Sequence, residues 1–249
     1  MIQFDHLTFG YGQQTILNDL SLNWVNGRII GLVGPNGSGK STCLKLAAGL
    51  LTPREGQVQW DSKTLSRLKG RPLGRLVSYL PQSRPVPMIS VRSLVSHGRF
   101  PHTGLGRKLT PADLEAVDQA LSDTGLIDLA DRDLKTLSGG QQQKAYLALL
   151  IAQNASHVLL DEPTTYLDIR HQLELFQLLK NFKAAGKCVV IVLHDLNQAL
   201  SLCDEICLLH QGQLLYAGNP EGLIPSRAIE TAFGVEPIMR PGLDFKPLA

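Results

Sequence analysis

The sequence predicts an α/β fold interrupted by an all-helical insert, and three observations carry that prediction. Two short runs are apolar on both faces, "HVLLD" (157–161) and "CVVIVLH" (188–194), as strands buried inside a parallel sheet are. Between them Ile169, Leu173, Phe176, Leu179 and Phe182 recur on one helical face that ends near Gly186, which makes a strand–helix–strand unit. From about residue 88 to residue 154, by contrast, helical signals dominate and strand signals are few.

The chain begins with short strands and turns, "MIQFDHLTF" and "TILNDLSLNWV", before the apolar "RIIGLV" runs into a glycine-rich loop. A helix is expected over about residues 40–50, and "GQVQW" reads as a further strand. In the middle stretch Thr110, Pro111 and Asp113 supply a cap, an N1 proline and an acidic first turn. Leu114, Val117 and Leu121 give that helix its apolar face, and Gly125 stops it. Ser138 and Gln141, three apart, read as a capping box that starts the next helix. Gly139 and Gly140 are then unexplained, since each glycine in a first turn costs roughly 1 kcal/mol relative to alanine. Something has to need bare backbone there. "ICLLHQGQLLYAG" is a hairpin turning at Gln211–Gly212, and a short helical tail follows Pro225. The expected organisation is one domain over 1–249, with an α/β core at about 1–87 and 155–225, a helical subdomain at about 88–154 and a tail at 226–249.

Hydrophobic residues are 43% and charged residues 18% of the 249, which is ordinary for a globular protein. A net charge of +2 gives no reason to expect a nucleic-acid partner. The four cysteines are scattered, and a chain of this size does not need a disulfide framework. Cys203 and Cys207 stand four apart, but Asp204 and Glu205 between them read as the end of one element and the start of a strand, which disfavours a metal role. The first 25 residues lack the apolar run of a signal peptide, and no stretch approaches the roughly 20 apolar residues of a membrane span. The expectation is a cytoplasmic, reduced protein that reaches any membrane through a partner.

"GPNGSGKST" (Gly34, Pro35, Asn36, Gly37, Ser38, Gly39, Lys40, Ser41, Thr42) contains the phosphate-binding pattern G-x-x-x-x-G-K-[ST] between an apolar strand and a helix. Glycines let backbone N–H groups curl around phosphate oxygens, and the helix N-terminus adds a favourable field. Lys40 is expected to reach the terminal phosphates, and the Ser41 hydroxyl to ligate Mg²⁺. ATP or GTP is the expected ligand. Asp161 ends the "HVLLD" strand at the edge where ligands sit in such sheets, placed to hold Mg²⁺ through its water shell. Glu162 follows and can deprotonate a water attacking the γ-phosphate. His194, read as the end of the next strand, could contact the γ-phosphate and align that water.

The glycine-rich loop, "LSGGQ", "LLDEP" and the His194 strand, in that order, resemble the ATP-binding cassette (ABC) ATPases, over essentially the whole chain up to the hairpin. The resemblance implies ATP with Mg²⁺, and two copies paired head to tail. Ser138, Gly139, Gly140 and Gln141 would then cap the nucleotide held by the other copy, which is why bare backbone is wanted. It further implies that Tyr11 stacks on adenine, that Gln82 contacts Mg²⁺ or the water and relays to a partner, and that Asp168 lies at the dimer seam. Lys144 stands where the family usually has arginine.

"SVRSLVSHGRFPHTG", "LSGGQQQKAYLALLIAQ" and "LLDEPTTYLDIRHQLELF" are similar to the ATPases of ferric-siderophore, ferric-citrate, haem and cobalamin importers, with the ferric-chelate branch the best fit. That resemblance implies a polytopic permease partner, an extracytoplasmic substrate-binding protein reached indirectly, and a peripheral place on the cytoplasmic face of the membrane. A cobalamin importer stays open as an alternative, and so does a soluble ABC ATPase that drives assembly. A transport motor is expected to offer an apolar groove over residues 82–97. A nucleotide sensor that does not hydrolyse is disfavoured by the presence of both Glu162 and His194.

Overall fold

In a computed structural model of the chain, the described residues are 1–61, 63–64, 70–103, 108–165 and 167–238. Gly104 and Tyr166 of the importer-like stretches, and the end of the tail, lie outside them. The chain runs β1 (Ile2–Tyr11), β2 (Gln14–Trp24), β3 (Ile29–Val33), α1 (Lys40–Ala47), β4 (Glu55–Trp60), β5 (Lys63–Thr64), α2 (Arg71–Leu76) and β6 (Val77–Leu80). Three helices follow, α3 (Val91–His97), α4 (Pro111–Asp123) and α5 (Gly139–Gln153). It returns through β7 (His157–Leu160), α6 (Ile169–Ala184), β8 (Cys188–Val192), α7 (Leu196–Leu202), β9 (Glu205–His210) and β10 (Gln213–Gly218), then α8 (Pro220–Leu223) and α9 (Ala228–Phe233).

The strands make two sheets. One is antiparallel in the order β2-β1-β4-β5; the other runs β10-β9-β3-β8-β7-β6, parallel from β9 to β6, with β10 antiparallel at its edge. Every residue of β3, β7 and β8 is buried, as their doubly apolar composition requires. Phe4, Trp24 and Trp60 from the first sheet pack with Ile30, Leu32, Val190 and Val192 from the second around Leu44 and Leu46 of α1. On the other face of the parallel sheet, Val158, Val189 and Ile191 meet Leu175, Leu179 and Phe182 of α6. The hairpin turns through Gln211 and Gly212, both at positive φ as a tight two-residue turn demands.

The α3–α5 segment has its own apolar cluster, in which Val91, Leu94 and Val95 meet Val117, Leu121, Ala145 and Ala148. Helix α5 belongs to both bodies, because Leu147 and Leu150 of the same helix pack into the sheet cluster. Two stripes differ from the sequence reading. Leu114 is exposed, and the inward place in that first turn is taken by Asp113, which is buried and paired with Arg99 at 2.9 Å. Ile169 is likewise exposed and Leu173 only half-buried. The α6 stripe that meets the sheet starts at Leu175, and its first turn is given over to the Asp168 cap. Among the described residues no helix is long and apolar enough to cross a membrane.

Candidate nucleotide site

The loop between β3 and α1 is shaped by its glycines. Gly34 has φ of 145°, and a Cβ there would lie 2.1 Å from the Leu209 carbonyl oxygen; at Gly39, with φ of 103°, it would lie 2.5 Å from Leu17 Cδ2. Only glycine fits either place. Lys40, the first residue of α1, is buried and folds back over the loop, its Nζ donating to the Gly34 oxygen at 2.8 Å and the Pro35 oxygen at 2.9 Å. Burial lowers the pKa of this ammonium, and the Glu162 and Asp161 carboxylates oppose that shift. The Ser38 hydroxyl is buried with no partner in the same loop. Such an orphan costs about 1–3 kcal/mol and fits a cradle built for an anion's oxygens.

Two oxygens meet at the sheet end of α1. Ser41 Oγ donates to Asp161 Oδ1 at 3.0 Å, and Tyr79 at the end of β6 donates its hydroxyl to Oδ2 at 3.2 Å. Burial raises the Asp161 pKa, and these two hydrogen bonds pull it back down. A hard carboxylate beside a hydroxyl is the donor set that suits Mg²⁺, which takes one or two carboxylates plus substrate phosphates. Among the described residues no three His, Cys, Asp or Glu side chains gather into an all-protein metal cage.

Glu162 follows with φ of 50°, a left-handed conformation unusual for its type. Its carboxylate is only 12% exposed and is gripped at both oxygens. Gln82 Nε2 donates to Oε2 at 2.5 Å, and His194 Nε2 lies 2.6 Å from Oε1. His194 is not the end of its strand. Strand β8 stops at Val192, and His194 sits in the turn before Asp195, which caps α7. This extra length carries the imidazole out to 50% exposure above the strand edge, where it meets Glu162.

The "LSGGQ" signature segment (Leu137–Gln141) folds as its sequence demands. Ser138 accepts from the Gln141 N–H at 3.3 Å, and Gln141 Oε1 accepts from the Ser138 N–H at 3.1 Å. A Cβ on Gly139 would meet nothing within 4 Å, and one on Gly140 only the His171 ring at 3.8 Å. Nothing inside the chain requires either glycine. Gly139 lines a cavity of ≈ 480 Å³ together with Gln82, Glu162 and Thr165. Asp168 caps α6, accepting from the His171 N–H at 2.9 Å, and its carboxylate lies 2.7 Å from His171 Nδ1. Tyr11 ends β1 with half its surface exposed, held edge-on by Phe9 at 5.0 Å. Lys144 pairs with Glu174 at 2.7 Å on the surface of α5.

Sequence reasoning passed over three members of this region. Tyr79 is one, and the only hint was its place three residues before Gln82. The others are Arg84, which stands in no motif, and Gln143, which stands in the "LSGGQQQKAYLALLIAQ" stretch with no role read for it; the two hydrogen-bond to each other. Of residues 82–97, Gln82, Ser83, Arg84 and Val86 line this cavity, whose walls also include Tyr146, Leu167, Gln142 and Gln143 and so are mixed in polarity. Met88, 75% exposed, adds apolar surface in the same stretch.

The ABC transporter family model matches residues 17–165, which takes in the glycine-rich loop, the signature segment and Glu162. The ferric enterobactin transport ATP-binding protein of Escherichia coli (strain K12) is 38% identical over 93% of this chain and 86% of its own length. The iron(3+)-hydroxamate import ATP-binding protein of Bacillus subtilis (strain 168) is 36% identical over 93% and 87%. Among solved structures, a putative metal-chelate type ABC transporter in an inward-facing conformation superposes with a TM-score of 0.81 at 28% identity, over 94% of this chain and 89% of its own. A dimeric ATP-binding cassette in a post-hydrolysis state, bound to ADP and Pi, superposes at 0.78 with 27% identity over 88% and 99%. With this fold, these motifs and these relatives, the chain belongs to the ABC transporter family, as one of its ATP-binding ATPase cassettes.

Proposed function

We propose that this cassette hydrolyses ATP as the motor subunit of an importer for a ferric chelate. The observation that carries the catalytic half is Glu162, held at one oxygen by Gln82 and at the other by His194. In this reading Glu162 takes the proton of the attacking water, while Gln82 and His194 fix its carboxylate and line up the water. Residues 34–42 hold the phosphates. Lys40 exchanges its carbonyl partners for phosphate oxygens, and the Ser38 hydroxyl gains the partner it lacks. Ser41 and Asp161 are the residues that would hold Mg²⁺, which when bound neutralises charge building on the phosphates. Tyr11 supplies an exposed ring for the adenine.

The glycines of the signature segment support pairing of two copies. A Cβ at either would clash with nothing in its own chain, meeting at most the His171 ring at 3.8 Å, so the reason for bare backbone is sought outside the chain. An ATP phosphate held by a second copy answers that need, because backbone N–H groups at a helix start suit an anion. Asp168, exposed at the start of α6, falls to the seam in the same arrangement. The ferric-chelate reading is supported by the relatives, which serve ferric enterobactin, petrobactin and iron(3+)-hydroxamate. It brings with it a polytopic permease, a substrate-binding protein acting at a distance, and a peripheral position on the cytoplasmic face of the membrane. The helical part, at about 88–154, would be the body that meets the permease, and the α/β remainder the body that holds nucleotide.

The test is affinity capture of the tagged chain from detergent-solubilised native membranes, followed by mass spectrometry. Recovery with a polytopic permease whose cells lose uptake of a ferric chelate when the chain is deleted is the expected result. Recovery only with soluble partners would overturn the transport reading.

A further inference from the structure

A closed ring of contacts runs through Glu162, and two of its members, Ser83 and Arg84, belong to no sequence motif. On one side, Gln82 donates to the Glu162 carboxylate. Two residues along the same segment, Arg84 donates through Nη2 to Gln143 Oε1 on α5. Gln143 then turns its other end inward, its Nε2 donating to the Pro163 carbonyl oxygen at 2.8 Å. Pro163 follows Glu162 directly, so the path closes: Gln82, Glu162, Pro163, Gln143, Arg84, Ser83 and back to Gln82.

Glu162 is the member of this ring whose placement matters. Glu162 sits at φ of 50°, a strained place for a side chain that persists only when the surroundings over-determine it. Pro163 has no N–H with which to secure itself, and Gln143 holds its carbonyl, one peptide beyond the Glu162 carbonyl that accepts from the Thr165 N–H at 3.3 Å. Gln143 is buried, and both ends of its amide are used, which fixes the orientation of that amide. Arg84 is itself held in place by the Tyr146 ring, 4.4 Å from its guanidinium carbon, while the Tyr146 hydroxyl donates to the Pro85 oxygen at 2.6 Å.

Resting on the reading of Glu162 as the base, we infer that Gln143 is a positioning residue for hydrolysis: it pins the Pro163 carbonyl so that the Glu162 carboxylate stays aimed between Gln82 and His194, with Arg84 locking the Gln143 amide. Gln143 touches no reacting atom. Its effect is on the geometry of the base, so it belongs to kcat and not to nucleotide binding. Because Gln143 rides on the signature helix, a shift of α5 also moves the base.

Gln143→Glu keeps the side-chain shape and the pairing with Arg84 but cannot donate to Pro163, which makes it the variant of choice. Gln143→Met, which removes both bonds at similar length, is its companion. ATP hydrolysis is measured for both in the parent protein and again in the Glu162→Gln background, with binding of a fluorescent ATP analogue as the control for folding. In the parent, kcat should fall by about 10²-fold, the scale of a displaced catalytic group, with KM and analogue binding unchanged. In the Glu162→Gln background the same substitutions should change the residual rate less than twofold, since there is no base left to aim. An equal fall in both backgrounds would mark Gln143 as merely structural and overturn the inference. Gln143→Glu at the parent rate, with Glu162→Gln crippled, would overturn it alone. Glu162→Gln at the parent rate would instead sink the base and the inference with it.

Discussion

His194 Nε2 lies 2.6 Å from Glu162 Oε1, and the other oxygen of the same carboxylate is already taken by Gln82. Three segments far apart in sequence therefore converge on one side chain. Gln82 follows β6, Glu162 follows β7 and His194 follows β8, and these are neighbouring parallel strands whose C-terminal ends share one edge. That edge is where an open α/β sheet presents its ligand groups.

Substituting Glu162 by Gln keeps the volume and the reach to both partners but removes the proton acceptor. Steady-state hydrolysis should fall by about 10²–10⁴-fold, while ATP still binds. Phosphate release, followed beside equilibrium binding of labelled ATP, checks both halves. Loss of binding together with loss of turnover would mean that Glu162 shapes the site and is not its base.

Gly139 offers a test in which stability and activity part company. A Cβ at this helical position meets nothing within 4 Å of its own chain, so Gly139→Ala should stabilise the fold by about 0.5–1 kcal/mol. Activity should fall sharply, because in the proposed pairing the added methyl would stand where the second copy's nucleotide approaches. Urea unfolding measures the first effect and ATPase assays the second. A variant both more stable and fully active would remove the argument for an approach in trans.

Much of this was legible in the sequence because it is local. The glycine loop, the Ser138 capping box and the Gln211–Gly212 turn each depend on residues within a few positions of one another. The buried strands β7 and β8 declare themselves by composition alone. Strand β6 was passed over because "VSYL" is four residues long with a polar one in second place, and only its parallel pairing with β7 makes it a strand. Leu114 and Ile169 misled for a related reason. Apolar spacing marks a stripe, but whether a first turn is covered depends on what the tertiary structure brings opposite it. Arg84 and Gln143 were invisible because their significance lies in a hydrogen bond between residues 59 positions apart.

Tyr11 should carry binding but not chemistry. Its ring is half exposed at the end of β1 and held edge-on by Phe9, so it is presented without being buried. Base–aromatic stacking is worth about 1–3 kcal/mol, so Tyr11→Ala should weaken ATP by roughly five- to 150-fold, and Tyr11→Phe by little. Titration calorimetry with ATP on the two variants decides it. Equal losses in both would point to the hydroxyl and not to the ring.

Asp113 gives the fold an acid-sensitive tie. The Thr110 N–H and hydroxyl, joined by Arg99, hold its carboxyl down to about 2, against 3.8 for an ordinary aspartate. A carboxyl depressed on folding adds stability that is complete above the unfolded value and is lost as pH falls from 3.8 toward about 2. Asp113→Asn should cost about 1.5–3 kcal/mol at pH 7, the range of a hydrogen bond to a charged group. The cost should shrink as the pH drops from 5 to 3, because the parent loses the tie that the variant never had. Urea midpoints for the two proteins at pH 7, 5 and 3, compared at equal slope, measure this directly. A gap between them that stays constant from pH 7 to pH 3 would show that Asp113 acts by shape alone, and that the charge at the start of α4 contributes nothing to holding it against α3 and α5.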